Sequence, residues 1–191
     1  MLSRHLSSPP KTGLALLPVI AAGALLAGNA ISTAGADSPS TTKSCSQQLE
    51  VRVSDGYSGL GHEGLAVKLT NTGDNACTLE GWPTVDAVHR NGSSVALKRT
   101  RTTQFGPPAS LKGIPVVTLG RGDSAYAIVY GADAPGGPSC GTNFWRLIFS
   151  APRAKRRVTL SASLPKQGTY LHDCMVPEIT MVVTRRELLH G

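Results

Sequence analysis

Leu49-Glu50-Val51-Arg52-Val53-Ser54, followed by Leu65-Ala66-Val67-Lys68-Leu69-Thr70-Asn71-Thr72-Gly73, decides the fold class. In the first run, apolar and polar residues alternate strictly. Successive side chains of a strand point to opposite faces, so this period of two buries one face and wets the other. The second run puts Leu65, Val67 and Leu69 on one side in the same way. Between the two, Asp55 to Gly64 is rich in glycine and is expected to turn the chain. Asn71-Thr72-Gly73-Asp74-Asn75 closes the second run with residue types that suit turn backbone.

The same pattern continues toward the C-terminus. Val85, Ala87 and His89 alternate up to Asn91-Gly92, a strong two-residue hairpin signal, and Val95 and Leu97 return. Residues 100–115 read as a long loop broken by Pro107, Pro108 and Gly113. Val116 to Leu119 is a short apolar run, and Gly120-Arg121-Gly122-Asp123 turns the chain into Ala125–Tyr130, where both faces are expected to be partly buried. In the next strand Phe144, Arg146, Ile148 and Ser150 are expected on one face, and Trp145, Leu147 and Phe149 on the other. Val158–Leu164 and Ile179–Val183 supply the last alternations, and residues 185–191 form a tail with room for one helical turn. Eight or nine short strands between Gly, Pro, Asn and Asp, with no sustained helical stripe, predict an all-β antiparallel sandwich or barrel.

The N-terminus has the three parts of a secretory signal. Arg4, His5 and Lys11 are basic, Gly13 to Gly28 is apolar and uncharged, and Ala34-Gly35-Ala36 offers small residues for cleavage after Ala36. A spanning helix needs about 20 apolar residues; this stretch is shorter and contains Pro18, so a cleaved leader (1–36) is expected rather than an anchor. Residues 37–44 read as a tether, 45–184 as the domain and 185–191 as the tail. A lipid-anchoring cysteine would follow the apolar stretch after small residues. The first cysteine is Cys45, behind Thr42-Lys43-Ser44, so a released, extracellular protein is expected.

Removing the leader takes away Arg4 and Lys11 and leaves 17 basic against 12 acidic residues. The charges are mostly scattered, and the densest clusters are Lys98-Arg99-Thr100-Arg101 and residues 153–157. No aromatic residue interleaves with the second cluster, so nucleic acid is not an expected partner. Solvated loop charge accounts for both clusters; contact with an anionic wall polymer or a lipid headgroup is the alternative.

Cys45, Cys77, Cys140 and Cys174 all follow the leader. An even count in an exported chain reads as two disulfides. Order and spacing favour Cys45–Cys77 and Cys140–Cys174, each closing a loop worth roughly 3–4 kcal/mol in the chain-entropy model. Neither CxxC nor HExxH occurs, which argues against zinc and a redox dithiol.

Several of these segments resemble domain-of-unknown-function family 4232. They are Cys45, Leu69–Gly73, Cys77-Thr78-Leu79-Glu80-Gly81-Trp82-Pro83, the turn Leu119–Ala125, and Cys140 and Cys174. The resemblance spans about residues 45–184. It implies an exported or lipid-anchored actinobacterial protein with an immunoglobulin-like sandwich, and it implies no activity. Many members carry a lipid-attachment motif, which this chain lacks. Asn71, Gly73, Gly81, Trp82, Pro83 and Gly122 are expected to be structural: turn formers, and an apolar anchor beside a rigid bend.

Arg121-Gly122-Asp123 matches an integrin-binding tripeptide but sits where a turn is needed. Asn91-Gly92-Ser93 fits a glycosylation acceptor, yet as a hairpin turn it needs no sugar to explain it. The acid–base candidates are His62-Glu63, His89 and His172-Asp173. No GxSxG nucleophile accompanies them. The sequence therefore predicts a monomeric, cofactor-free, non-catalytic secreted module that meets the membrane only during export and binds an envelope polymer or another exported protein. The alternatives are a secreted hydrolase with an unrecognised site, or a copper carrier using His62, His172 and Met175.

Overall fold

The computed structural model describes residues 43–107, 111–132 and 142–189. The expected leader, the tether up to residue 42, and Cys140 lie outside them. In chain order, the described strands begin with β1 (Lys43–Ser44), β2 (Leu49–Gly59), β3 (His62–Asn71), β4 (Cys77–Glu80), β5 (Thr84–His89), β6 (Ser94–Ala96) and β7 (Lys98–Thr100). Then come β8 (Val116–Leu119), β9 (Ser124–Ala132), β10 (Phe144–Ser150), β11 (Val158–Ser161), β12 (Glu178–Thr180), β13 (Val183–Thr184) and the helical turn α1 (Arg185–Leu189). The chain is all-β, as expected. It has thirteen described strands rather than about eight; five are only two or three residues long, with β6 and β7 dividing the stretch around Val95 and Leu97 and β12 and β13 dividing the Ile179–Val183 run.

The strands form three sheets. One runs β2-β3-β9-β12-β7, with β13 also paired to β9; the second runs β11-β10-β5-β6; the third runs β1-β4-β8. Most pairs are antiparallel, but β1 lies parallel to β4 and β7 parallel to β12. The expectation of a purely antiparallel arrangement is corrected at those two edges. Each of these pairs joins strands far apart in sequence, the long connection that a parallel partner requires.

One apolar cluster takes side chains from all three sheets, including Val67, Leu79, Val85, Val117, Leu147 and Phe149. In β9, Ala125 to Val129 are all buried, so this central strand is covered on both faces. The expected Cys45–Cys77 disulfide is formed, between two fully buried residues whose Cα atoms are 4.9 Å apart. It sits where β1 leaves β4, and the Cys45 N–H donates to the Thr78 carbonyl at 3.1 Å. The expected Cys140–Cys174 bridge involves a residue outside the described ones.

The stretch Asp55–Gly64 is not a broad turn. β2 and β3 pair along its whole length, with a bulge between Val53 and Asp55, and the chain reverses only at Leu60-Gly61. Gly56 is needed inside the strand: a Cβ there would come within 2.9 Å of the Pro165 ring. Gly56 and Gly64, which look like turn formers, are here strand residues under close neighbours. In the actual turn both central residues have positive φ, 54° for Leu60 and 78° for Gly61, as a tight hairpin demands. Leucine is a poor choice there because its Cβ crowds the carbonyl in the left-handed region. It is also 91% exposed.

At the C-terminus, α1 starts with a capping box. Thr184 Oγ1 accepts the Glu187 N–H at 3.3 Å, and the Glu187 carboxylate accepts the Thr184 N–H at 2.7 Å.

Leu60→Asn should raise stability by about 0.5–1 kcal/mol, since asparagine tolerates this backbone and little packing is lost. Urea unfolding followed by tryptophan fluorescence measures it. A fall in stability would mean that the leucine is held by contacts its exposure does not suggest.

Candidate functional site

The acid–base candidates come together as pairs. The segment Tyr170–Asp173 lies against the start of β10, with Phe144 N–H donating to Leu171 O and Asp173 N–H to Thr142 O. In an extended segment neighbouring side chains diverge. His172 turns to the six-stranded sheet, where the Glu63 carboxylate accepts both its backbone N–H and its Nδ1–H, the latter at 3.0 Å. Glu63 is only 1% exposed, and Gly131 faces it across the ladder. A Cβ at Gly131 would meet Leu171 at 3.1 Å. Asp173 instead reaches His89 Nε2, in the four-stranded sheet, at 3.2 Å.

Two adjacent residues thus clasp two sheets. The His89 ring tilts against Phe144 with centroids 4.5 Å apart, and its Nδ1 is buried without a hydrogen-bond partner. Placing the proton on Nε2, toward Asp173, leaves the orphan as an acceptor rather than a second donor.

His62, next to Glu63, is engaged separately. Its Nδ1 meets the Tyr130 hydroxyl, and the two rings stack. Burial raises the Tyr130 phenol above its usual range and the Glu178 carboxylate adds to this, so the phenol keeps its proton. The structure therefore does not gather His62 and His172 into one set. Among the described residues, no cluster of three His, Cys, Asp or Glu side chains could hold a metal ion. The imidazoles bond to a carboxylate or a phenol, and none of the three hydrogen-bonds to a Ser or Thr hydroxyl among the described residues.

A different group faces outward on the four-stranded sheet. A bulge between Phe144 and Arg146 shifts the register of β10 against β5. Phe144, Leu147 and Phe149 all point into the core, while Trp145 is half-buried and Arg146 is exposed. The expectation that Trp145 shares a face with Leu147 and Phe149 is corrected: the extra residue breaks the period. The Arg90 guanidinium lies over the indole, 4.3 Å from its centroid. Tyr170 tilts against it at 5.6 Å.

A recess of about 240 Å³ opens between Trp145 and Tyr170, lined also by Arg146, Thr159, Leu160 and Ser161. A larger hollow of about 590 Å³ adjoins Arg90 and is lined by His89, Asn91, Ser93, Thr142 and Asn143. Among the described residues Arg90 and Arg146 have no carboxylate partner.

The other predicted residues are distributed. Trp82 Nε1 donates to Thr100 O at 2.7 Å, tying the β4–β5 connection to the end of β7, and Pro83 is buried beside it. Gly81 takes φ 93° and Gly122 φ 83°, both left-handed. Arg121 pairs with Asp74 in the β3–β4 turn at 2.6 Å, and Asp123 accepts the Gly120 N–H of its own turn at 2.9 Å, so both charged side chains of the tripeptide are engaged in holding turns. In the basic stretch 153–157, Arg153 pairs with Glu80 and Arg157 with Asp86.

The family described as a domain of unknown function (DUF4232) matches residues 45–181. The chain belongs to DUF4232. No curated protein and no solved structure matches it. Within this DUF4232 domain, the segment that carries the family likeness centres on Asn71, which is fully buried. Its amide donates to Leu119 O at 3.0 Å and Asn75 O at 2.9 Å, and its Oδ1 accepts the Gly73 N–H at 3.0 Å. Its backbone N–H donates to Asp123 O and its carbonyl accepts the Gly122 N–H. One residue thereby fixes the end of β3, the turn before Cys77 and the turn between β8 and β9. Gly73 lies tight under Gln48, where a Cβ would approach Oε1 to 2.3 Å.

Asn71→Asp should destabilise the fold by about 3 kcal/mol or more, since a carboxylate would face two carbonyls and cannot donate to either. Denaturant melts at neutral pH measure this, and a shift within error would mean that the turns hold without the amide. Glu63→Ala should cost about 2–4 kcal/mol by leaving the His172 donors unpaired. Glu63→Gln, which keeps an acceptor for the backbone N–H, should cost clearly less in the same assay.

Proposed function

We propose that this DUF4232 chain is an exported, non-catalytic module of immunoglobulin-like sandwich type that binds a cell-envelope component or another exported protein. The observation that carries the binding half is the outward group of Trp145, Arg90 and Tyr170. An indole displayed on a sheet face, with a guanidinium over it and a recess beside it, is contact chemistry with no reacting group. The imidazoles engaged between the sheets support a structural use for the acid–base residues.

Export is supported by the basic–apolar–small order of residues 1–36. The buried Cys45–Cys77 disulfide is compatible with an oxidising destination. No helix among the described residues is long and apolar enough to cross a membrane. Release of a monomer, an actinobacterial source and the absence of a cofactor belong to the same proposal.

The full chain, expressed with its own leader in a bacterial host, should appear in the medium with Asp37 as its first residue. It should then co-sediment with isolated cell envelopes. N-terminal sequencing and a sedimentation assay read the two halves. An unprocessed cytoplasmic product would overturn export, and a protein left wholly in the supernatant would overturn envelope binding.

A further inference from the structure

We infer that the outer face of the four-stranded sheet is a binding site for a sugar chain bearing carboxylates, with Trp145 as its platform and Arg90 and Arg146 as its charge partners. This deepens the proposal that the chain is a binder, and rests on it. The bulge in β10 makes two consecutive side chains, Trp145 and Arg146, share the outer face. A regular strand would send them to opposite faces. An aromatic surface and a guanidinium are thus adjacent at the mouth of the recess with Tyr170.

The recess combines apolar and hydroxyl-bearing walls: two aromatic rings on one hand, Thr159 and Ser161 on the other. A pyranose has the same duality, with apolar C–H faces for aromatic rings and equatorial hydroxyls for hydroxyl partners. A neutral sugar would leave the guanidiniums unused. Arg146 is exposed and Arg90 rests on the indole, neither with a carboxylate partner among the described residues. The carboxylates nearby are already engaged, Asp86 with Arg157 and Asp173 with His89. The face is therefore cationic, and its planar forks match carboxylates well. A chain of polyol phosphates would satisfy the charge but has no flat ring to lie against Trp145. A uronate places both requirements on one residue of the polymer.

The test titrates the purified full chain by calorimetry with oligogalacturonate, its fully methyl-esterified form and poly(glycerol phosphate). Oligogalacturonate should bind, with an affinity that falls as salt rises. Trp145→Ala and, separately, Arg146→Gln should each weaken it by about tenfold, or 1.4 kcal/mol. Arg146 is exposed, so its variant remains informative even if the tryptophan variant fails to fold.

Equal binding of the methyl ester would overturn the charge assignment. Preference for the phosphate polymer would overturn the choice of ring. Oligogalacturonate binding that both variants leave unchanged, or no binding of any of the three, would overturn the site. Envelope co-sedimentation that persists while all three probes fail would leave the broader function standing and remove only this inference.

Discussion

The buried amide of Asn71 is the constraint on which one end of the molecule depends. It closes β3, and two otherwise separate pieces of backbone are hydrogen-bonded to its side chain: the turn at Gly73 and Asn75, and the last carbonyl of β8. Its main chain holds the β8–β9 turn as well. Two N–H donors and a carbonyl acceptor on one short side chain are needed for this, which is what an amide supplies. The disulfide two residues past Asn75 acts on the same region by different physics. It lowers the entropy of the unfolded chain, whereas the amide satisfies polar groups that burial would otherwise leave unmade. Cys77 therefore enters β4 from a turn whose geometry is already set.

The opposite need, holding the six-stranded sheet to the four-stranded one, is met by His172 and Asp173. Apolar contacts between sheets are not directional, so they leave lateral sliding weakly opposed. A carboxylate–imidazole contact on each side of one extended segment is directional. The two contacts have reversed polarity: His172 offers a donor to Glu63, and Asp173 offers an acceptor to His89. Neither contact can be made by the other's partner. Register between the sheets is thereby specified by two polar contacts, one of them with a carboxylate that water does not reach.

Much of this was legible in residue order. The alternations at Leu49–Ser54 and Leu65–Thr70 name β2 and β3 and their buried faces, and the spacing of Cys45 and Cys77 names their bridge. Thr184-x-x-Glu187 also carries the capping box openly. What could not be read are the places where the period changes. Glycines at 56, 59 and 64 look like turn formers, although all three lie in β2 or β3 and position 56 needs glycine because Pro165 lies over it. The pairing of Glu63 with His172 spans 109 residues, and nothing local announces it. Short edge strands such as β1 and β13 exist only because a longer neighbour offers them open hydrogen-bonding groups.

The bulge in β10 is the irregularity that residue order hides most completely. Phe144 and Leu147 are three apart and both are fully buried, an odd spacing that a regular strand cannot place on one face. The chain resolves the conflict with one extra residue, at the expense of a broken ladder. The core alone would have been served by any small residue at position 145. The bulge instead carries a tryptophan, followed by an arginine, and presents both to the outside with Arg90 already lying over the ring. Apolar surface left in contact with water is a loss to folding, and the ring contacts of this indole are with Arg90 and Tyr170. That placement, an aromatic ring and two guanidiniums side by side on one outer face, is the observation on which the proposed binding face rests.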